Sequence, residues 1–144
     1  MKELEKLSHH EKELLFCIPA LVSLLEANTD GTFDKDELKK AKEITYIKSF
    51  SCVDILKPFY EEVEKEFDQT IQKLDNHFPK GKKERDQAIK QKLSESESVL
   101  SKLSTTYSNA LHHSLAKYTE QIPRAHKNLL SSFLFPLNIK GFSD

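Results

Sequence analysis

The chain has 144 residues, 31% of them charged, a formal net charge of −1, three glycines and five prolines. A chain of this length suits one domain that buries roughly 68–70% of its unfolded surface. Few turn residues argue for helices over sheets, the balanced charge offers no basic stripe for nucleic acid, and so few glycines leave a nucleotide-binding fold without its phosphate loop.

The N-terminal Met1-Lys-Glu-Leu-Glu-Lys6 is charged and helix-forming, with no signal-peptide core. Ser8-His-His-Glu11 spells a capping box, and Leu14, Leu15, Ile18, Leu21, Val22 and Leu25 follow at helical spacing. A first helix is predicted over about 9–27, kinked or broken at Pro19, whose ring removes a donor. A second helix over about 35–48 carries Leu38, Ala41 and Ile44 on one face.

A short connection at Phe50-Ser-Cys52 leads to a third helix, with Asp54 near its start and Pro58 in its first turn. Its apolar series, Leu56, Phe59, Val63, Phe67, Ile71, Leu74 and Phe78, steps by three or four residues and stops before Pro79-Lys-Gly81. Lys80-Gly-Lys82-Lys83-Glu-Arg85 reads as a solvated loop with a helix start. The next series is Ile89, Leu93, Leu100, Leu103, Tyr107, Leu111, Leu115 and Tyr118, with Ser96 filling the gap. Over residues 84–119 it describes either one long helix or two joined near Ser104-Thr-Thr106. After Gln121-Ile-Pro123, Leu129, Leu130, Phe133 and Leu134 form a last apolar helix, and the tail 136–144 is irregular. The aromatic-rich Phe133-Leu-Phe135-Pro-Leu137, with Phe142, either closes the bundle or offers a partner contact.

These elements describe a single all-α domain, a bundle of five to six helices spanning 1–144. It divides into an acidic helix–loop–helix at 9–48, a long-helix bundle at 54–135 and the tail. No apolar run approaches the ~20 residues of a membrane span. Cys17 and Cys52 are isolated thiols in apolar surroundings, neither a metal pair nor a disulfide framework, which fits a reducing cytoplasm.

The one segment with a chemical signature is Glu26-Ala-Asn28-Thr-Asp30-Gly31-Thr32-Phe33-Asp34-Lys-Asp36-Glu37. Oxygen-bearing side chains fall at positions 1, 3, 5, 9 and 12, glycine at 6 and an apolar residue at 8, the spacing of an EF-hand loop. A hard cation needs six to eight oxygens at about 2.3–2.6 Å from a short wrapping chain. Glu26, Asn28 and Asp30 would supply side-chain oxygens and Thr32 its carbonyl, with Asp34 acting through water and Glu37 binding bidentately. Gly31 would make the sharp turn. Glu26 stands where the spacing normally carries Asp, and its extra methylene predicts a weak site, with Kd roughly 10⁻⁵–10⁻³ M. The competing account is a helix corner in which Asp34 and Glu37 form an N-cap and N3 acidic pair without metal.

The six histidines, His9, His10, His77, His112, His113 and His126, lack Glu-x-x-His or His-Glu-x-x-His spacing and read as surface residues. Glu5, His9 and Glu13 would share a face if the first helix extended that far back. No nucleophile elbow or catalytic constellation is present, so the chain reads as a non-enzyme.

The segment Leu14 to Ile47 resembles TerB-like (tellurite-resistance B type) domains: an apolar, Ala-containing helix enters an Asp-Gly corner, and a helix with Glu seven residues after the Asp leaves it. Asp30, Gly31 and Glu37 match that pattern. The absence of a paired second EF-hand and the long helices beyond residue 55 favour TerB-like over EF-hand. The resemblance implies a compact cytoplasmic bundle of bacterial type, acidic corners able to bind Ca²⁺, and a stress-response or sensor role. The second acidic corner usual in such domains is not found here. The alternative is a metal-free protein–protein interaction domain, with an unidentified protein or a second copy as partner.

Overall fold

The computed structural model describes residues 2–28 and 35–121. Among them the architecture is all-α, without strands: six helices of eight residues or more, preceded by a one-turn helix. They run α1 (Lys2–Glu5), α2 (His9–Phe16), α3 (Ile18–Asn28), α4 (Lys35–Ser51), α5 (Lys57–His77), α6 (Lys82–Leu100) and α7 (Thr105–Gln121), with a 3₁₀ turn at Asp54–Leu56 leading into α5. The last apolar helix expected at 129–134 and the tail lie outside the described residues.

The Ser8–Glu11 capping box forms in both directions, Glu11 N donating to Ser8 Oγ at 3.1 Å and Ser8 N to Glu11 Oε1 at 2.9 Å. The first predicted helix is broken, as one of its two readings has it. α2 ends at Cys17, and Pro19 occupies the first turn of α3, where its missing donor costs nothing. Ser23 Oγ donates to the Pro19 carbonyl at 2.8 Å. The chain also breaks after Glu5, so Glu5 does not share a helix with His9 and Glu13.

α3 is the axis of the bundle. Residues 18–26 are all buried, and the helix packs against α2, α4, α5, α6 and α7. Its composition explains this, since a helix apolar all round is stable only when surrounded. α4 and α5 form an antiparallel hairpin tied by Lys42 Nζ to Asp68 Oδ2 at 2.7 Å. α4 continues to Ser51, beyond the expected end near 48, because nothing in Ser49-Phe50-Ser51 breaks a helix.

The long predicted series resolves into two helices. α6 ends at Leu100 with Ser101 as its cap, and Ser104 restarts the chain by accepting from the backbone N–H of Tyr107 at 3.2 Å. Every member of the apolar series from Leu56 to Phe78 and from Ile89 to Tyr118 is buried, Ser96 included. Glu3 binds the Ser104 backbone N–H at 3.0 Å, and Glu11 pairs with Lys102, so the N-terminal turns hold the α6–α7 corner.

Arg85 departs from the solvated loop predicted for it. It is 8% exposed, and it closes the α5–α6 corner by donating to the Asp75 and Pro79 carbonyls at 3.3 Å each and to the Asp75 carboxylate. Its guanidinium also sits 5.9 Å from the Phe78 ring centroid.

Candidate functional site

The acidic segment lies where two helices meet. α3 ends at Asn28, position 3 of the twelve, and α4 starts at Lys35, position 10. Six residues, 29–34, join them. The C-terminal end of α3 presents carbonyls without intrahelical partners and the negative end of its dipole, both favourable to a cation. Against this, the start of α4 presents the positive end of its own dipole. In the sequence, Asp34, Asp36 and Glu37 place negative charge there.

Of the six proposed ligands, the structure describes one side chain. Glu26 is 1% exposed, in the last turns of α3, with Oε2 sealed from solvent. A carboxylate at that depth requires hydrogen-bonding, charged or metal partners. Asp30, Thr32 and Asp34 lie outside the described residues, as do the side chains of Asn28 and Glu37, so the ligand set as a whole falls outside them too. Asp36, at position 11, is exposed. Among the described residues no three His, Cys, Asp or Glu side chains cluster as metal ligands would.

The histidines divide by environment. His9 pairs through Nε2 with Glu13 Oε1 at 2.7 Å on an exposed face, and His10, His77 and His113 are exposed. His112 corrects the surface expectation: it is fully buried in α7, three residues before the buried Leu115. The apolar series Tyr107, Leu111, Leu115 and Tyr118 passes beside position 112 without including it, so the sequence carries no clear signal of this burial. His126 lies outside the described residues. A groove of about 510 Å³ between α2, α5 and α6 is lined by His10, Glu13, Cys17, Glu62, Glu66 and Lys73. Charges of both signs alternate along it, as on an ordinary solvated face, and no nucleophile–base pair is formed.

Both cysteines are free and half-buried, not fully buried as apolar surroundings suggested, and burial pushes both thiols up. Three buried phenols, Tyr60, Tyr107 and Tyr118, are pushed well above their ordinary value by desolvation. Tyr118 shares a hydrogen bond with Ser23 Oγ at 2.9 Å and donates to the Pro19 carbonyl at 3.4 Å; Tyr60 pairs with Ser114 Oγ at 2.6 Å. These are internal polar ties between helices.

One surface feature escaped the sequence reading. Tyr46, Ile47, Phe50, Val53 and Ile55 are each about half exposed, and they crowd into the end of α4 and the connection after it. No helix among the described residues is long and apolar enough to cross a membrane. No family model matches this chain, no curated protein matches it in sequence, and no solved structure matches it in fold.

Proposed function

We propose that the chain is a non-catalytic helical module that takes up a divalent cation, Ca²⁺ foremost, weakly at the α3–α4 corner. The observation that carries this reading is register. α3 ends at position 3 of the acidic segment and α4 begins at position 10, so two packed helices frame the loop as a helix–loop–helix calcium site requires. Glu26 would be the first ligand and Glu37 the bidentate last one, with Asn28, Asp30, Thr32 and Asp34 between them. Ca²⁺ tolerates the irregular geometry of a loop opened by Glu better than Mg²⁺, which demands a near-ideal octahedron. The proposed class is TerB-like, with a stress-response or sensor role in a bacterial cytoplasm. Its support is the Asp30-Gly31 corner with Glu37, together with two cysteines left free.

The test is thermal unfolding of the full chain with and without Ca²⁺. A ligand selective for the folded state adds RT ln(1 + [L]/Kd), roughly 2.7 kcal/mol at a hundredfold excess. For a chain of this size that raises Tm by roughly 5–11 °C. An unchanged midpoint at Ca²⁺ about a hundredfold above the upper Kd of roughly 10⁻³ M contradicts the proposal.

The exposed apolar residues at 46–55 favour a second reading, a metal-free protein-interaction module whose acidic corner is only a capped turn. In that case Ca²⁺ leaves Tm unchanged, and Asp34→Ala costs ~1 kcal/mol as a lost N-cap.

A further inference from the structure

Lys48 stands apart from the ion pairs that tie the helices together. It lies in the last turn of α4, half-buried, with Nζ 5.8 Å from the Tyr60 ring centroid. The groups around it are Tyr60 on α5, Cys52 one helical turn on, and Lys117 on α7, which packs against α4. None of them is an anion at neutral pH. The Tyr60 phenol hydrogen-bonds Ser114, and burial makes it hold its proton. Burial likewise keeps Cys52 a neutral thiol. Asp54, the carboxylate in the connection after α4, pairs with Lys57 at 3.3 Å. Lys117 is exposed and has no ion pair among the described residues.

Two effects therefore act on Lys48 in the same direction. Burial strips water from its ammonium and Lys117 repels it, so the amine gives up its proton more readily than an ordinary lysine. The face of the Tyr60 ring attracts a cation and offsets only part of this. An unprotonated lysine amine attacks carbonyl carbon, and desolvation beside a second cation is one of the ways a lysine becomes a nucleophile. That second cation also selects the incoming molecule. An ammonium engaged by no carboxylate of the described chain suits a carboxylate or phosphate on the ligand.

We propose that Lys48 is a covalent capture site for small aldehydes that carry a carboxylate or phosphate, with Lys48 Nζ taking the carbonyl as a Schiff base and Lys117 pairing with the anionic group. The Nζ lone pair forms the C–N bond, and one amine proton passes to the carbonyl oxygen. The resulting hydroxyl then leaves with the second amine proton as water, and C=N remains. No oxidant or reductant enters, and hydrolysis reverses the step. The inference is independent of the α3–α4 corner, since it uses none of that corner's residues.

The test is competitive labelling of the full chain by substoichiometric glyoxylate at neutral pH. Cyanoborohydride fixes each imine as a secondary amine, and peptide mass spectrometry locates it. The 22 lysines and arginines include Arg85 and Arg124, so twenty lysines compete, and random labelling gives each about one twentieth. Lys48 should take the largest share. Lys117→Gln should cut that share severalfold with helix content unchanged, and Lys117→Arg, which keeps the charge, should retain it. Acetaldehyde, which offers Lys117 no anion, should label Lys48 less selectively than glyoxylate does. Label spread evenly over the lysines overturns the proposal. A Lys48 share that Lys117→Gln leaves unchanged, or that acetaldehyde equals, overturns it as well.

Discussion

Replacing Arg85 by Met tests how the two longest helices are held together. Arg85→Met keeps the unbranched stem over the Phe78 ring and removes the guanidinium. Three hydrogen bonds go with it, two to carbonyls at 3.3 Å and one to the Asp75 carboxylate. The Asp75 side chain is 32% exposed, so water rehydrates its carboxylate and the full penalty of a stranded buried charge does not apply. The two long carbonyl bonds contribute roughly 0.5 kcal/mol each and the charged bond about 1 kcal/mol after rehydration, so the loss is about 2 kcal/mol. That corresponds to a fall in Tm of roughly 4–8 °C. Arg85→Lys should lose about half as much, because a single ammonium cannot serve three acceptors spread across the end of α5. Urea unfolding at neutral pH reads both values from the midpoint at constant m. A loss below ~0.5 kcal/mol for Arg85→Met would refute the reasoning, because it would mean that water replaces the guanidinium at every acceptor.

Tyr118→Phe should cost ~1 kcal/mol by thermal unfolding, since Ser23 keeps its bond to the Pro19 carbonyl when the phenol leaves. Stability should fall steeply above about pH 10. There the unfolded chain gives up its phenolic protons while folded Tyr60, Tyr107 and Tyr118 hold theirs, so the folded state binds more protons and ΔG declines as pH rises. Far-UV circular dichroism against pH checks it, and Tyr118→Phe should flatten that decline. Burial pushes the Glu97 carboxyl up to about 7 from 4.5, so its contribution to stability is present below pH 4.5 and lost as pH rises to about 7. Glu97→Gln should therefore gain stability relative to wild type at pH 8 compared with pH 4, as read by denaturant titration at both values.

The fold was legible wherever helical period and burial coincide. Leu56 to Phe78 and Ile89 to Tyr118 are long enough for the three- and four-residue steps to fix both the helices and their inward faces. The Ser8–Glu11 box marked a helix start because capping is local chemistry. What stayed hidden depends on distant partners. Arg85 sits in a run of positive charge, and only the end of α5 folding back makes it a buried cap. Glu3 and Glu11 look like ordinary surface acids until Ser104 and Lys102 arrive from the far end of the chain. The apolar residues 46–55 fit no inward stripe, and their exposure could not be read before the inward face of α4 was known. At the α3–α4 corner proposed to take up a cation, the sequence supplies the spacing and the structure supplies the flanking helices and the depth of Glu26.

Calorimetric titration of Ca²⁺ into the full chain, Glu37→Gln and Glu26→Asp tests the central claim most directly. The account predicts Kd roughly 10⁻⁵–10⁻³ M for the wild type, no binding by Glu37→Gln, and tighter binding by Glu26→Asp, which restores the shorter first ligand. Equal, negligible heats in all three proteins would contradict it and leave the corner a capped turn.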